Sequence, residues 1–274
     1  MPASLDAILA ATRQRLSLGG KRADMEAMER AAAVHTPRGF RRALQRRAEN
    51  GLAIAGIAII AELKKASPSK GLIRGDFKPS ELASDLERAG AAALSVLTDE
   101  QFFQGSLNDL RQASGNSSLP CLRKDFIVDE VQIVEARANC ADAILLIVAA
   151  LEQKELVRLA GAGRAQGLDV LCETHDEDEV RRALDAGCDL IGVNSRDLRT
   201  FEVKLDTALR LAEKIPGGCV RVAESGIQTG ADIARLRAAG YDAFLIGESL
   251  MKKERPGAGL ARLMEEARMG FCEN

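Results

Sequence analysis

Residues Ile57–Gly71 read Ile-Ala-Ile-Ile-Ala-Glu-Leu-Lys-Lys-Ala-Ser-Pro-Ser-Lys-Gly, an apolar run that stops at acid, base, hydroxyl and turn residues. Ile57–Ala61 is too apolar to be half solvated and too short for a buried helix, which predicts a strand covered on both faces. Side chains two apart on a strand share a face, so Glu62 and Lys64 should point together at whatever lies beyond the tip. Pro68 and Gly71 then end the pattern. Taken alone, the stretch reads equally well as an exposed ion pair at a frayed strand end.

The rest of the chain decides between the two. Seven further apolar runs follow, at Ala92–Leu97, Pro120–Leu122, Ala143–Ile147, Asp169–Cys172, Leu190–Val193, Val220–Ala223 and Ala243–Ile246. Helical patterns are expected near Pro79–Ala89, Ser106–Ala113, Asp129–Ala138, Glu152–Gln166, Glu177–Ala186, Leu205–Lys214, Gly230–Ala239 and Pro256–Met269. Regular strand–helix alternation implies parallel strands with right-handed crossovers. Eight such units favour one α/β domain, a (β/α)8 TIM barrel of the usual ~250 residues, over an open doubly wound sheet. Ala-Gly pairs before the next strand, ending in Gly90, Gly187 and Gly240, read as left-handed helix caps and mark the stability face. Function is then expected at the opposite, C-terminal strand tips.

Residues 1–50 read as amphipathic helices, with Leu5, Ile8 and Leu9 on one face, a break at Gly19–Gly20, and continuation through Ala23–Ala33 and Arg38–Glu49. They are expected to form an N-terminal helical extension packed on a barrel of residues 51–274, covering one end of it as one option. Nearly half of the 274 residues are hydrophobic and the net charge is −2, which suits one globular unit with a sizeable core. With no basic block, no Trp and Tyr241 as the single tyrosine, nucleic acid is a poor partner, whereas a small anionic substrate remains compatible. The six cysteines show no CxxC spacing and read as buried free thiols, and His35 and His175 offer little for a metal, so none is expected. No run approaches the ~20 apolar residues of a membrane span. Asp6 and Arg13 interrupt any signal-peptide core, so a cytoplasmic location and no membrane contact are expected.

At the tips stand Arg123-Lys124-Asp125-Phe126, Glu173-Thr174-His175, Asn194-Ser195-Arg196, Glu224-Ser225-Gly226 and Gly247-Glu248-Ser249. Singly each is an ordinary loop; jointly, Glu62, Lys64, Lys124, Glu173, Asn194 and Glu224 would converge on one mouth. Ser225-Gly226 and Gly247-Glu248-Ser249 look like an anion site, since loops after the seventh and eighth strands of such barrels often cradle phosphate. Ser67 and Lys70 are candidate contributors from the first loop. Glycine for turn geometry alone is the alternative, and Glu248 would have to turn its carboxylate away from an anion.

With these motifs in place, the chain resembles the indole-3-glycerol-phosphate synthase family. The resemblance runs from Ile59 to Met251 through Ala61–Gly71, Ser95–Glu100, Phe102–Ser106, Arg123–Ile127, Ala141–Ile147, Glu173–His175, Gly192–Leu198, Ala223–Ile227 and Leu245–Met251. It implies a barrel that converts 1-(2-carboxyphenylamino)-1-deoxyribulose 5-phosphate into indole-3-glycerol phosphate, carbon dioxide and water in tryptophan biosynthesis, with no cofactor. A carbonyl must be polarised for ring closure, then a hydroxyl must leave. That calls for an acid, then an acid with a base: a lysine kept protonated beside a carboxylate, and a glutamate whose proton affinity is raised by its neighbours.

By similarity Lys124 is the acid for closure, Glu173 and Glu62 are base candidates, and Lys64 either holds the substrate carboxylate or serves as second acid. Asn194 and Glu224 suit hydroxyl and intermediate stabilisation. Arg196 orients the carboxylate or nearby glutamates, and Ser225, Gly226, Gly247 and Glu248 form the phosphate end. Phe103, Phe126 and Leu145 would wall the aromatic ring, with core packing as the alternative. The resemblance is weakest over residues 1–50; Cys140 stands where glycine is more usual and Ser195 where a second asparagine is frequent. A monomer is expected, with weak or transient association with other enzymes of the pathway. The competing readings are another phosphate-binding barrel, such as phosphoribosylanthranilate isomerase, and a non-catalytic binding barrel.

Overall fold

In the computed structural model, which describes residues 4–18, 25–49, 56–197 and 200–272, the eight apolar runs become parallel strands. They are β1 (Ala58–Leu63), β2 (Ala93–Leu97), β3 (Cys121–Lys124), β4 (Ala143–Ile147), β5 (Asp169–Thr174), β6 (Leu190–Asn194), β7 (Val220–Glu224) and β8 (Ala243–Ile246). Each pairs with its neighbours in chain order, and β8 returns to β1 through Ala58↔Ala243 and Ala61↔Ile246, so the sheet closes into the expected barrel. Several strands run past the ends expected from hydrophobicity, to Leu63, Lys124, Thr174, Asn194 and Glu224. Backbone pairing continues there, as in Leu97↔Lys124 and Asn194↔Glu224, because the ladder needs only N–H and C=O groups and ignores the side chain.

Period-two alternation then builds the site. Ile60, Leu122, Leu171, Leu190, Val222 and Leu245 fill the barrel interior, while Ile59, Ala61 and Leu63 face the helices. Two residues beyond Ile60, Leu122, Leu171 and Val222 on the same inward rails come Glu62, Lys124, Glu173 and Glu224. The layers below carry no charged side chain, only the Ser95 hydroxyl among apolar groups, so the uppermost rung is the first place where charge meets solvent.

The helices of the barrel repeat are α4 (Pro79–Arg88), α6 (Leu107–Gly115), α7 (Glu130–Ala138), α8 (Gln153–Ala165), α9 (Glu177–Asp185), α10 (Leu205–Leu211), α11 (Gly230–Ala238) and α13 (Pro256–Cys272). The expected α10 is shorter, passing into a 3-10 turn at Ala212–Lys214, and α13 is longer. Gly90, Gly187 and Gly240 take the left-handed conformation expected of helix caps, and Cys140 does the same after α7 with φ +65°. Two four-residue helices, α5 (Glu100–Phe103) and α12 (Glu248–Met251), and a hairpin pairing Ala66–Ser67 with Gly71–Leu72 lie in the mouth loops and lacked any periodic signal. Five cysteines are free thiols: Cys121, Cys172 and Cys188 are buried, and Cys140 and Cys219 are half-buried instead.

The helices before β1 are α1 (Leu5–Leu18), α2 (Met25–Val34) and α3 (Phe40–Glu49); Gly19–Gly20, Ala23 and Leu198 lie outside the described residues. They do more than cover one end. Phe40 and Leu44 of α3 are wholly buried among the inward residues at the bottom of the barrel, α2 packs along α7, and Leu5 and Ile8 of α1 reach the cavity at the opposite end. The chain is pinned between α2 and α3 by Asp142, which is fully buried before β4. Its carboxylate accepts the Arg38 backbone N–H at 2.6 Å, the Arg38 guanidinium at 2.6 Å and the Cys121 N–H at 2.7 Å, and lies 3.2 Å from His35 Nε2.

Candidate active site

The polar rung is a ring of alternating charge. Lys64 Nζ lies 2.5 Å from Glu62 Oε2. Across the barrel, Lys124 Nζ donates to Glu173 Oε2 at 2.7 Å and stands 3.6 Å from Glu224 Oε2. Asn194 Nδ2 donates to Glu173 Oε1 at 3.1 Å. Glu62, Glu173, Glu224 and Asn194 are all buried. Two glycines make room for this. A Cβ on Gly192 would sit 2.2 Å from Glu224 Oε1, and one on Gly247 only 2.1 Å from Glu62 Oε2, so the carboxylates occupy the space of the missing side chains. The sequence reading assigned Gly247 to phosphate contact; its clearance for Glu62 is a second reason for glycine there.

Burial alone would strip Lys124 of its charge, but Glu173, Glu224 and Glu62 outweigh it and hold the ammonium well above the ordinary lysine range. Lys124 is thus a lysine held protonated beside a carboxylate. Of Glu173 and Glu224, the one with raised proton affinity is Glu224. Burial pushes Glu224 up to about 8, aided by Glu173 and Glu62 and opposed by Lys124. Glu173 goes the other way: burial raises it, but Lys124, His175 and the hydrogen bonds from Lys124 and Asn194 bring it down to about 2. Two carboxylates beside one lysine are thus driven apart, one ionised and one protonated at neutral pH.

The ring floors a cavity of about 630 Å³, the size of a small-molecule site. Its wall brings together Ser67, Lys70, Phe103, Phe126, Leu145, Arg196, Ser225, Gly226, Gly247 and Glu248 with the charged ring, whereas Arg123, Thr174, His175 and Ser195 of the tip motifs do not line it. Strand order separates them into two sides. Phe103 and Phe126 follow β2 and β3 and Leu145 lies within β4, and the two phenyl rings stand 6.2 Å apart. Ser225-Gly226 and Gly247-Glu248 follow β7 and β8 on the other side. Ser225 and Gly226 have φ of +65° and +83°, a left-handed pair in which Gly226 has no space for a Cβ, 2.7 Å from Val203 Cγ1. Gly247 caps α12, whose first N–H groups have no partner within the helix. The Glu248 carboxylate is taken up by Lys252 at 2.6 Å, with Arg196 at 3.6 Å.

Sequence reasoning overlooked three supports. Arg123, fully buried on the outward face of β3, bonds Asp125 at 2.8 Å, Glu135 at 2.9 Å and the Gln132 carbonyl at 2.7 Å. Asp125 in turn accepts the Phe126 N–H at 2.8 Å, so this cluster sets the loop that carries Phe126. A buried arginine next to a mouth lysine is legible only once alternation sends Lys124 inward. The second support is α1, whose Leu5 and Ile8 were read as the apolar face of an extension packed on the barrel; they line the mouth cavity. The third is His175, which sits between Glu179, 3.0 Å from Nδ1, and Glu173, 3.5 Å from Nε2.

A family model described as indole-3-glycerol phosphate synthase matches residues 5–263. An indole-3-glycerol phosphate synthase of Koribacter versatilis (strain Ellin345) is 58% identical over 264 residues, 96% of this chain and 100% of that protein. Among solved structures, a mandelate oxidase with (S)-2-phenylpropionate is 17% identical with a TM-score of 0.60, covering 90% of this chain and 93% of that one. Thiamine phosphate pyrophosphorylase from Pyrococcus furiosus is 14% identical with a TM-score of 0.58, covering 78% and 96%. At such identities these two structures show the barrel fold alone.

Proposed function

From the premise that this chain belongs to the indole-3-glycerol phosphate synthase family, we propose how its mouth residues divide the work of that carboxy-lyase of tryptophan biosynthesis. The carboxyphenyl ring of the substrate lies on the Phe103, Phe126 and Leu145 side, and the phosphate on the Ser225-Gly226 and Gly247-Glu248 side, where backbone N–H groups meet an anion. Ser67 and Lys70 add to that end from the hairpin. The substrate's length then spans the charged ring, which puts its carbonyl over Lys124.

Lys124 gives its proton to the carbonyl oxygen as the aromatic carbon bearing the carboxylate attacks the carbonyl carbon. Loss of carbon dioxide restores the ring. In the dehydration that follows, Lys64, paired with Glu62, protonates the leaving hydroxyl, and Glu173 takes the proton that the new five-membered ring gives up. Glu173 is a weak base while Lys124 is charged. Once Lys124 has donated, the charge that holds Glu173 down is gone and its proton affinity rises, so the acid step arms the base. Glu224, protonated below about pH 8, donates a hydrogen bond to the hydroxyl, with Asn194 beside it, and Arg196 steers Glu248 away from the phosphate. Residues 1–50 serve the same unit as the barrel, and the enzyme works as a cytoplasmic monomer.

The observation that carries this reading is the half-buried ammonium of Lys124 between Glu173 and Glu224 at the floor of the cavity. Purified protein supplied with the carboxyphenylamino substrate should form an indole product detectable by absorbance. Lys124→Ala should lower kcat by roughly 10²–10⁴ with KM little changed, as for a group acting in the transition state. Wild-type protein that is folded yet inactive overturns the activity, and an unchanged kcat removes Lys124 from the mechanism.

A further inference from the structure

The phosphate end proposed above, on which this inference rests, draws on loops from opposite ends of the chain. Ser67 and Lys70 lie in the loop after β1, and Gly247–Ser249 in the loop after β8. The two strands are neighbours where the barrel closes, paired as far as Ala61↔Ile246. Beyond the strand ends the ladder no longer fixes one loop against the other, yet groups from both must stand at set distances from a single anion.

We infer that Arg74 is the positioning residue that sets them: its guanidinium clamps the return arm of the first loop to the backbone just after α12 and so fixes the geometry of the phosphate end. Arg74 follows the hairpin that pairs Ala66–Ser67 with Gly71–Leu72, and its backbone N–H donates to the Lys65 carbonyl at 3.1 Å, beside that of Ile73 at 2.8 Å. The base of the hairpin is thereby tied to Arg74. Its Nε donates to the Asp76 carbonyl at 3.0 Å, which aims the fork. Nη1 then donates to the carbonyls of Met251 at 3.2 Å and Lys253 at 2.9 Å, and Nη2 to that of Glu254 at 3.3 Å. Met251 ends α12, where carbonyls run out of partners within the helix.

Burial of Leu250 and Met251 fixes how deep α12 sits, but apolar burial is non-directional. The bonds to Arg74 set how this segment is turned toward the hairpin. The same segment lines the mouth cavity through Lys252 and Lys253, as the hairpin does through Ser67 and Lys70. The two loops also meet electrostatically: burial raises the Glu248 carboxyl, but Lys252, Lys64 and Lys70 outweigh it and hold the group below its ordinary range. A planar guanidinium with five donors serves several carbonyls at once, whereas an ammonium on a flexible stem does not hold them in one fixed arrangement. Arg74 itself does not line the cavity, so it acts through the loops and does not touch substrate. The phosphate is unchanged by the reaction, so a looser grip on it weakens ground state and transition state alike.

The test is Arg74→Lys, which keeps the charge and removes the fork. With wild type turning over as control, KM for the carboxyphenylamino substrate should rise roughly fivefold or more while kcat stays within about twofold. The inhibition constant of inorganic phosphate, a competitor for that end alone, should rise in the same proportion. A role in stability alone would lower Tm and leave both constants unmoved, which overturns the clamp. It is overturned equally by a KM that rises without the phosphate constant, by a kcat that falls as much as KM rises, or by wild type that inorganic phosphate does not inhibit. Should the variant not fold, hydrogen exchange on wild type decides: saturating inorganic phosphate should slow the amides of residues 65–74 and 247–254 together, and protection of one segment alone overturns the clamp. Wild type without turnover would count against the proposed function itself, and direct titration of inorganic phosphate would then still compare wild type with the variant.

Discussion

Replacing Glu224 by glutamine should stabilise the protein, and do so mainly in alkaline solution. Glu224 is 1% exposed, and burial with Glu173 and Glu62 nearby lifts it from 4.5 to about 8. A folded-state value above the unfolded one means that the folded chain binds the extra proton between about pH 4.5 and about 8, so stability falls as pH rises through that window. Glu173 moves the other way, from 4.5 to about 2, but its window closes below about pH 4.5, so its contribution is the same at both assay pH values and does not offset that of Glu224. Between about pH 5 and about pH 8 an uncharged side chain at position 224 therefore relieves on the order of 3 kcal/mol. For a chain of this size that is a Tm difference of roughly 6–12 °C. The assay is thermal melting of wild type and Glu224→Gln at about pH 5 and about pH 8, followed by circular dichroism at one scan rate. Comparing the variant's advantage at the two pH values cancels any change in hydrogen bonding that is common to both. An advantage equal at both pH values, or larger in acid, would refute the reasoning.

Two further substitutions probe the supports of the ring. Gly247→Ala places a Cβ 2.1 Å from Glu62 Oε2, so it should displace the Glu62–Lys64 pair and lower kcat roughly tenfold or more at a stability cost of about 1–3 kcal/mol, whereas Gly217→Ala, with open space around it, should leave both unchanged. Normal turnover in Gly247→Ala would show that Glu62 is not needed where it lies. Asp142→Ala leaves the Arg38 guanidinium and the Cys121 N–H without their acceptor and should cost about 3 kcal/mol in chemical denaturation; a loss below about 1 kcal/mol would mean that the pin on the N-terminal helices is not energetically significant.

The barrel was legible because each strand is an apolar run too short to be a helix, and each cap glycine marks a turn that only a left-handed residue closes without strain. Strand ends were not, since hydrophobicity stops at Ala61 or Cys172 while pairing runs on to Leu63 and Thr174. The hairpin at Ala66–Leu72 and the short helices α5 and α12 escaped for a related reason: elements of two to four residues have no period to read. At the site, the residue types at the tips and their arrival at one cavity followed from alternation, the one regularity that sequence carries into the interior. The proton affinities did not follow. Glu173 and Glu224 are the same side chain at the end of a buried strand, and the one local difference, His175 two residues after Glu173, is a lesser cause than Lys124.

What separates them is distance to a charge on a third strand. Lys124 Nζ stands 2.7 Å from Glu173 and 3.6 Å from Glu224, and Asn194 donates to the former alone of the two. The sequence by itself determined the repeat, the inward rails and which residues stand on the top rung, because those depend on neighbours two or four positions away. Only the tertiary structure decided which carboxylate is ionised, why Gly192 and Gly247 must lack a side chain, and where α1 and α3 come to rest. Burial and Coulomb interactions act through space between residues tens of positions apart, and closure of the barrel sets those distances.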